Sequence, residues 1–217
     1  MTLDEQEIQR AFAEPADAPP VGSGPPGAGL PRALDVLVAG LTLLVLSPLL
    51  LLIAVLIRLD SKGAVTYKQI RVGRDGREFM LYKLRTMRPG SDPVGVGTVV
   101  DAGDPRVTRV GHVLRRFSLD EVPNLVNVLR GEMAIVGPRP TIPSQVELFS
   151  ARQHRRHAVR PGMTGWAQIN GRIGIDWGER IELDIYYVEH RSPLLDLKIL
   201  GRSISQVVSG HGLYTGG

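Results

Sequence analysis

The 217-residue chain has no cysteine, which excludes disulfides and thiolate metal centres and leaves nothing that points to an oxidising compartment. Aromatic residues make up only 5%, few for a surface that stacks bases, and no nucleic-acid-binding motif is present, so no nucleic-acid partner is expected. A dinucleotide fingerprint is missing too. VGVGTV, residues 94–99, lacks the third glycine and does not open a helix. The first residues are acidic and the long apolar run starts late, so the amino terminus does not read as a secretory signal.

Charge is present but uneven. The net is +4 and the pI is near 9.7, yet residues 1–31 hold five acids and one base. The body after them is therefore strongly basic, which suits an anionic partner such as a phospholipid or a nucleotide. PADAPPVGSGPPGAGLP, within residues 1–31, is too poor in apolar surface to order itself, and a disordered tail is expected there.

Val36 to Ile57 is 22 residues without a charge. As one helix it measures roughly 33 Å, about the hydrocarbon thickness of a bilayer. It is apolar on every face, so it reads as a membrane segment rather than a soluble core helix. Ser47 and Pro48 fall near its middle. Proline there frees a carbonyl and bends the helix, and the serine hydroxyl can satisfy the exposed backbone. A kinked span and a re-entrant hairpin both fit. Arg58, Lys62 and Lys68 follow the segment, placing the body on the cytoplasmic side.

The chemistry concentrates in Phe117 to Pro140, FSLDEVPNLVNVLRGEMAIVGPRP. Asp120 and Glu121 are adjacent, Arg115 and Arg116 lie just before them, and Arg139 sits in a Pro-Arg-Pro turn after a candidate strand. Carboxylates beside guanidinium groups stay ionised, able to act as nucleophile or metal ligand while the arginines hold a phosphate. On this reading Asp120 is expected to have a low pKa. A structural reading competes: Ser118 and Glu121 form S-x-x-E before an apolar run, a capping box. Pro123 sits better if Asp120 is the N-cap instead, so Asp120 could both cap and react.

Elsewhere, AVTYKQIRVG and EFMLYKLRTM read as two strands of a hairpin around GRDG. Lys83 and Arg85 alternate on one face of the second, either as a solvated edge or as substrate contacts. Residues 89–105 form a Gly/Pro/Asp loop that could be a flap. SQVELFSARQHRRHAV is a candidate amphipathic helix whose His154 and His157 lack further ligands at metal spacing, so a solvated or headgroup-facing side is expected. RPGMTGWAQINGR reads as a loop in which Arg172 offers another cation. GERIELDIYYVEH and PLLDLKILGRSISQVV read as helices.

The dyad block, together with YKLRTM, RPGMTGWAQINGR and DIYYVEHRSPLLDLKIL, resembles the bacterial sugar transferase family, the monotopic polyprenyl-phosphate phosphoglycosyl transferases, from about Leu30 to Ser209. The likeness is to the small members with little beyond the catalytic domain. It implies an α+β fold, a single compact domain with a small β-hairpin or sheet and several amphipathic helices. The expected organisation is a tail at 1–31, a re-entrant helix-break-helix at 32–58 turned at Ser47 and Pro48, and a cytoplasmic domain at 59–217. The implied reaction moves a sugar 1-phosphate from a UDP-sugar to polyprenyl phosphate with Mg²⁺, releasing UMP. Asp120 matches the nucleophile, which forms a phosphosugar intermediate, and Glu121 matches the partner acid that helps hold the metal. Arg139, Arg115, Lys83 and Arg85 fall on basic positions that hold phosphates. Two other classes remain open on residues alone: a membrane-anchored basic interaction protein, and a nucleotide-sugar glycosyltransferase, against which the absence of D-x-D argues.

Overall fold

A computed structural model describes residues 10, 12, 13, 15, 18, 22, 25–91, 104–170 and 176–208. Residues 92–103 of the expected flap, and Arg172, lie outside the described residues.

The apolar run forms α1, Arg32–Asp60, a helix of 29 residues roughly 43 Å long. It is not broken at Ser47 and Pro48. Pro48 cannot bond the Leu44 carbonyl, and the Ser47 hydroxyl donates to that oxygen instead at 2.8 Å, so the helical path continues through the proline. Asp35 in the first turn and Arg58 in the last complement the helix dipole.

One stripe of α1 packs on the body along its whole length. Ala39, Leu43, Leu46 and Leu50 join a core with Phe79, Leu81, Leu125, Val128 and Met133. Ile53 and Ile57 join another with Leu84 and Leu114. These positions recur at three and four residues, the spacing of one helix face. The opposite face, including Leu44, Val45, Leu51 and Leu59, is 71–78% exposed, far more apolar surface than water tolerates.

Both ends of α1 are held by the same body. At the start, Arg32 donates to the carbonyls of Met133 and Val128, and Asp35 accepts from the Ile135 amide at 3.1 Å. At the end, Arg85 donates to Ile57 and Ser61 oxygens, and Asp60 accepts from the Val110 amide at 2.9 Å.

The expected hairpin is present: β1, Thr66–Val72, pairs antiparallel with β2, Glu78–Leu84, with Tyr67 opposite Lys83. Helix α2, Arg109–Arg116, starts at Thr108, whose hydroxyl accepts from the Gly111 amide. A 3-10 turn at Leu119–Glu121 and then α3, Asn124–Arg130, follow. Strand β3, Ala134–Val136, pairs in parallel with β4, Gly162–Thr164. Gly162 has to be glycine, since a Cβ there would lie 2.1 Å from the Gly137 nitrogen.

The single helix expected over Ser144–Val159 is instead α4, Pro143–Val146, and a separate 3-10 segment, Gln153–Ala158. Ser150 and Gln153 interrupt it by capping each other, Gln153 N–H to Ser150 Oγ and Ser150 N–H to Gln153 Oε1. Part of the expected loop RPGMTGWAQINGR is β4 and α5, Trp166–Asn170. Helices α6, Trp177–His190, and α7, Pro193–Val208, complete the described chain and match their periodicity. The architecture is α+β.

Within residues 1–31, the expectation of a free tail does not hold at the described positions. Phe12 is 5% exposed, stacks on Trp177 at 5.4 Å, and gives its carbonyl to the buried Gln153 amide at 2.7 Å. Further along, the Gly22 amide bonds Glu189 and the Leu30 amide bonds Asp196. A single large aromatic that fills a pocket between helices anchors a segment whose composition would not fold alone.

Candidate active site

Neither capping arrangement is used. Ser118 adopts the left-handed conformation, φ 54° and ψ 24°, without a side-chain cap, and α3 starts behind Pro123. A non-glycine residue held there costs on the order of 1–2 kcal/mol. The strain turns the chain sharply out of α2 so that Leu119, Asp120 and Glu121 form their own short turn. Leu119 packs into both clusters that α1 lines around Leu50, which seats the acidic pair beside the middle of the membrane helix.

The two acids have different surroundings. Glu121 is clamped: Lys83 Nζ and Arg139 Nη2 each donate to its Oε1 at 2.6 Å, and Arg139 Nη1 donates to Oε2 at 3.3 Å. Burial alone would raise the Glu121 carboxyl, but the charges and hydrogen bonds of Arg139 and Lys83 outweigh it and hold it well below the usual carboxylate range. Burial also lowers Lys83, with Glu121 opposing. Asp120, 7% exposed, accepts no hydrogen bond from the described residues, and its oxygens are not among the sealed, unpartnered atoms.

Asp120 is not acidified as the sequence suggested. Burial, and then the Glu121 carboxylate beside it, push it up to about 6 against the pull of Lys83, Arg115 and Arg139. The cause is proximity. Glu121 has taken the closest cations for itself, and what reaches Asp120 is their weaker field at longer range.

Of the basic residues expected at the site, Lys83 and Arg139 contact the dyad directly, and Arg115 acts on Asp120 through its charge while donating to Thr86. Arg85 is elsewhere. It lies beyond the end of β2, 9% exposed, bonded to the last turn of α1. The alternation that seemed to pair it with Lys83 ends with the strand at Leu84.

A shallow open cleft lies at Glu121, lined by Glu121, Lys83, Arg139, Arg71, Asn124 and Met163 among others, next to Asp120 in the chain but without its side chain in the lining. Arg71 was not anticipated. Its neighbour Ile70 is 46% exposed, while Arg71 is half-buried, the reverse of what the residue types suggest for a strand with one face on the core. That Arg-for-apolar exchange is the signal the sequence carried.

Arg71 also belongs to a set of donors that pins the Pro-Arg-Pro turn. Four consecutive carbonyls are each bonded: Pro138 by the Gly162 amide at 2.9 Å, Arg139 by Arg156 Nη2 at 2.7 Å, Pro140 by Arg71 Nη1 at 3.0 Å and Thr141 by the Val72 amide at 2.8 Å. Arg156 is itself buried and paired with Asp184. In the sequence it is hidden in HRRHAV, a basic run that reads as solvated. Arg139 is thereby aimed at Glu121 by a backbone that has no freedom to drift.

Mg²⁺ requires hard oxygen ligands and leaves most of its shell to water and phosphate. Asp120 fits, as a carboxylate that has no donor among the described residues and whose ionisation a cation would favour. Asn124 lines the cleft at Glu121 with a buried Oδ1 that has no partner among the described residues. Glu121 fits less directly, since both its oxygens are already engaged.

With an acidic pair, a cation cluster and an apolar anchor in one place, comparison with known proteins is decisive. The family model described as bacterial sugar transferase matches residues 28–210. The chain belongs to that family. The transferase is 41% identical over 184 residues to the uncharacterized sugar transferase EpsL of Bacillus subtilis (strain 168), covering 85% of this chain and 90% of the relative. It is 40% identical over 234 residues to the UDP-glucose:undecaprenyl-phosphate glucose-1-phosphate transferase of Caulobacter vibrioides (strain ATCC 19089 / CIP 103742 / CB 15), covering 97% and 87%. A third relative is the UDP-N-acetylgalactosamine-undecaprenyl-phosphate N-acetylgalactosaminephosphotransferase of Aeromonas hydrophila, 41% identical over 187 residues, where the match takes in 83% of this chain but only 44% of the relative. The transferase is thus an enzyme of a phosphoglycosyl-transferring family, and its apolar helix makes it a membrane protein.

Proposed function

We propose that this transferase moves a sugar 1-phosphate from a UDP-sugar to polyprenyl phosphate at the cytoplasmic face of the membrane, through a phosphosugar ester of Asp120. The observation that carries the reading is the contrast within the dyad: Glu121 is immobilised by Lys83 and Arg139, while Asp120 beside it accepts no hydrogen bond from the described residues. Relatives named as undecaprenyl-phosphate transferases support the substrates.

In this mechanism Lys83, Arg139 and Arg71 bind the diphosphate, and Arg139 is kept in line by its pinned turn. An Asp120 oxygen attacks the β-phosphorus, the bond from that phosphorus to the bridging oxygen breaks, and UMP leaves with the electron pair. A polyprenyl phosphate oxygen then attacks the same phosphorus, and the Asp120 carboxylate is released unchanged. Arg115, whose charge acts on Asp120, would hold one of the phosphates near it. Asp120, with Asn124 and Glu121 nearby, would hold Mg²⁺, which when bound neutralises diphosphate charge.

The acceptor's phosphate sits at the headgroup plane, so the nucleophile must be there as well. The packing of Leu119 against α1 near Leu50 supports a dyad held close to the membrane. The attachment of both ends of the unbroken α1 to one body supports a monotopic helix whose two ends stay on the cytoplasmic side, and a helix that crossed would have to release one end. The test is incubation with UDP-sugar labelled in the sugar phosphate, without acceptor. Label is expected on the wild-type protein and absent from Asp120→Asn; a variant that still turns over would rule the covalent scheme out.

A further inference from the structure

Most polar side chains around the Pro-Arg-Pro turn are already committed. Arg156 is held by Asp184 and by the Arg139 carbonyl, and His157, expected on a solvated face, is 8% exposed and stacks on Phe149 at 5.9 Å. Arg180 is not committed. It lies one turn before Asp184 on α6 and is half-buried, yet it makes no hydrogen bond or ion pair with any described residue, and none of its side-chain nitrogens is sealed from solvent. Its guanidinium lies over the Trp177 ring, 5.3 Å from the centroid, and Phe12 stacks on the same indole at 5.4 Å. A guanidinium held by a ring face is oriented while the N–H groups in its own plane stay free for a ligand.

The surroundings of Arg180 call for an anion. Its helix face carries Asp184, but that carboxylate is taken by Arg156, which leads in turn to the Arg139 backbone at 2.7 Å. The charge that acts most on Arg180 is that of Arg139, ahead of Asp184 and Arg156, whereas the charges on Arg71 include Glu121. Arg139 thus has the dyad on one side and Arg180 on another, and two like charges with no carboxylate of their own between them are relieved by an anion that both can reach.

We infer that Arg180 binds the α-phosphate of the donor, the phosphate that leaves with the nucleoside. The inference rests on the reading of the chain as a UDP-sugar enzyme and adds a residue to the donor site. The β-phosphate must lie at Asp120 to be attacked, so with Arg139 between the two, the α-phosphate belongs on the side away from the dyad. Paired N–H groups in one plane match two oxygens of a phosphate, which is what a stacked arginine presents and a lysine does not.

The test is calorimetric titration of wild type, Arg180→Met and Arg180→Lys with UMP, Mg²⁺ present, alongside kcat/KM for polyprenyl phosphate with the UDP-sugar that wild type turns over. Arg180→Met is expected to weaken UMP about tenfold, the loss of one charge-assisted contact, and Arg180→Lys to restore part of it. The kcat/KM for polyprenyl phosphate, which belongs to the second half-reaction, should be unchanged, and the thermal midpoint should stay close to that of wild type because no protein acceptor loses its donor. Equal UMP affinity in wild type and Arg180→Met overturns the assignment. A lowered kcat/KM for polyprenyl phosphate with UMP affinity intact moves Arg180 to the acceptor's phosphate and overturns it too. So does a UMP loss in both variants accompanied by a fall in thermal midpoint, which marks a structural role. Failure of the wild type to bind UMP or to release it from any UDP-sugar overturns the donor reading beneath, and the role of Arg180 with it.

Discussion

Asp120 and Glu121 are neighbours with the same functional group and opposite electrostatics. Asp120, raised from 3.8 to about 6 in the fold, binds its proton more tightly folded than unfolded. It contributes stability that is complete below about pH 4 and is lost as the pH rises through about 6, a difference of about 3 kcal/mol. On the proposed mechanism the attacking anion is gained over the same window, and Mg²⁺ shifts that gain to lower pH. Stability without Mg²⁺ is expected to fall through about pH 6, which urea melts across pH 4.5–8 would show, and the kcat/KM profile with Mg²⁺ should rise at a lower pH than the stability loss. At pH 7.5, Asp120→Asn should be more stable than wild type by about 1–3 kcal/mol and inactive. A less stable variant would mean that the anion is already well solvated in the fold. The cluster of the dyad and Arg139 was legible in the sequence, and Lys83 only through the family resemblance; the structure brings Lys83 and Arg139 onto Glu121. The raised Asp120 was not legible, because sequence adjacency to Arg115 and Arg116 does not say which carboxylate a cation will reach.

At the scale of elements, the turn from Pro138 to Thr141 carries the site, and Arg156 is its anchor. Arg156→Met alone strands Asp184, a buried carboxylate with 1% of its side chain exposed, and is expected to cost about 3–5 kcal/mol. The double variant Arg156→Met/Asp184→Leu removes both charges, so most of that stability should return. The KM for UDP-sugar should stay raised, since the Arg139 carbonyl has lost its donor. Recovery of both stability and KM in the double variant would show that the turn keeps its shape without Arg156. The hairpin, α6 and α7 follow directly from period-2 and period-3.6 patterning. The break between α4 and the 3-10 segment does not, because the reciprocal Ser150 and Gln153 bonds compete with a helix that the pattern alone would favour.

Across the whole molecule, α1 serves as membrane anchor on one face and as core helix on the other. With its ends tied to Met133 and Val128 at one extremity and to Arg85 at the other, both are expected on the same side of the bilayer. Because the chain has no cysteine, Ala33→Cys and Lys62→Cys are clean reporters. Neither should react with an impermeant maleimide added to intact cells, and both should react once the cells are opened. Labelling of either one from outside would place α1 across the membrane. At the described amino-terminal positions, the Phe12 carbonyl accepts from Gln153, and the Gly22 and Leu30 amides donate to Glu189 of α6 and Asp196 of α7.

By itself the sequence determined that this is an anchored enzyme with an acidic pair among cations, since hydrophobic length, absent cysteine and the motif blocks are properties of residues and their order. Tertiary structure decided which acid is clamped and which accepts no hydrogen bond from the described residues, that Arg85 serves the helix end and Arg71 the cleft, and that His157 is buried. Each of these depends on distances between residues far apart in the chain, and burial and charge act through space.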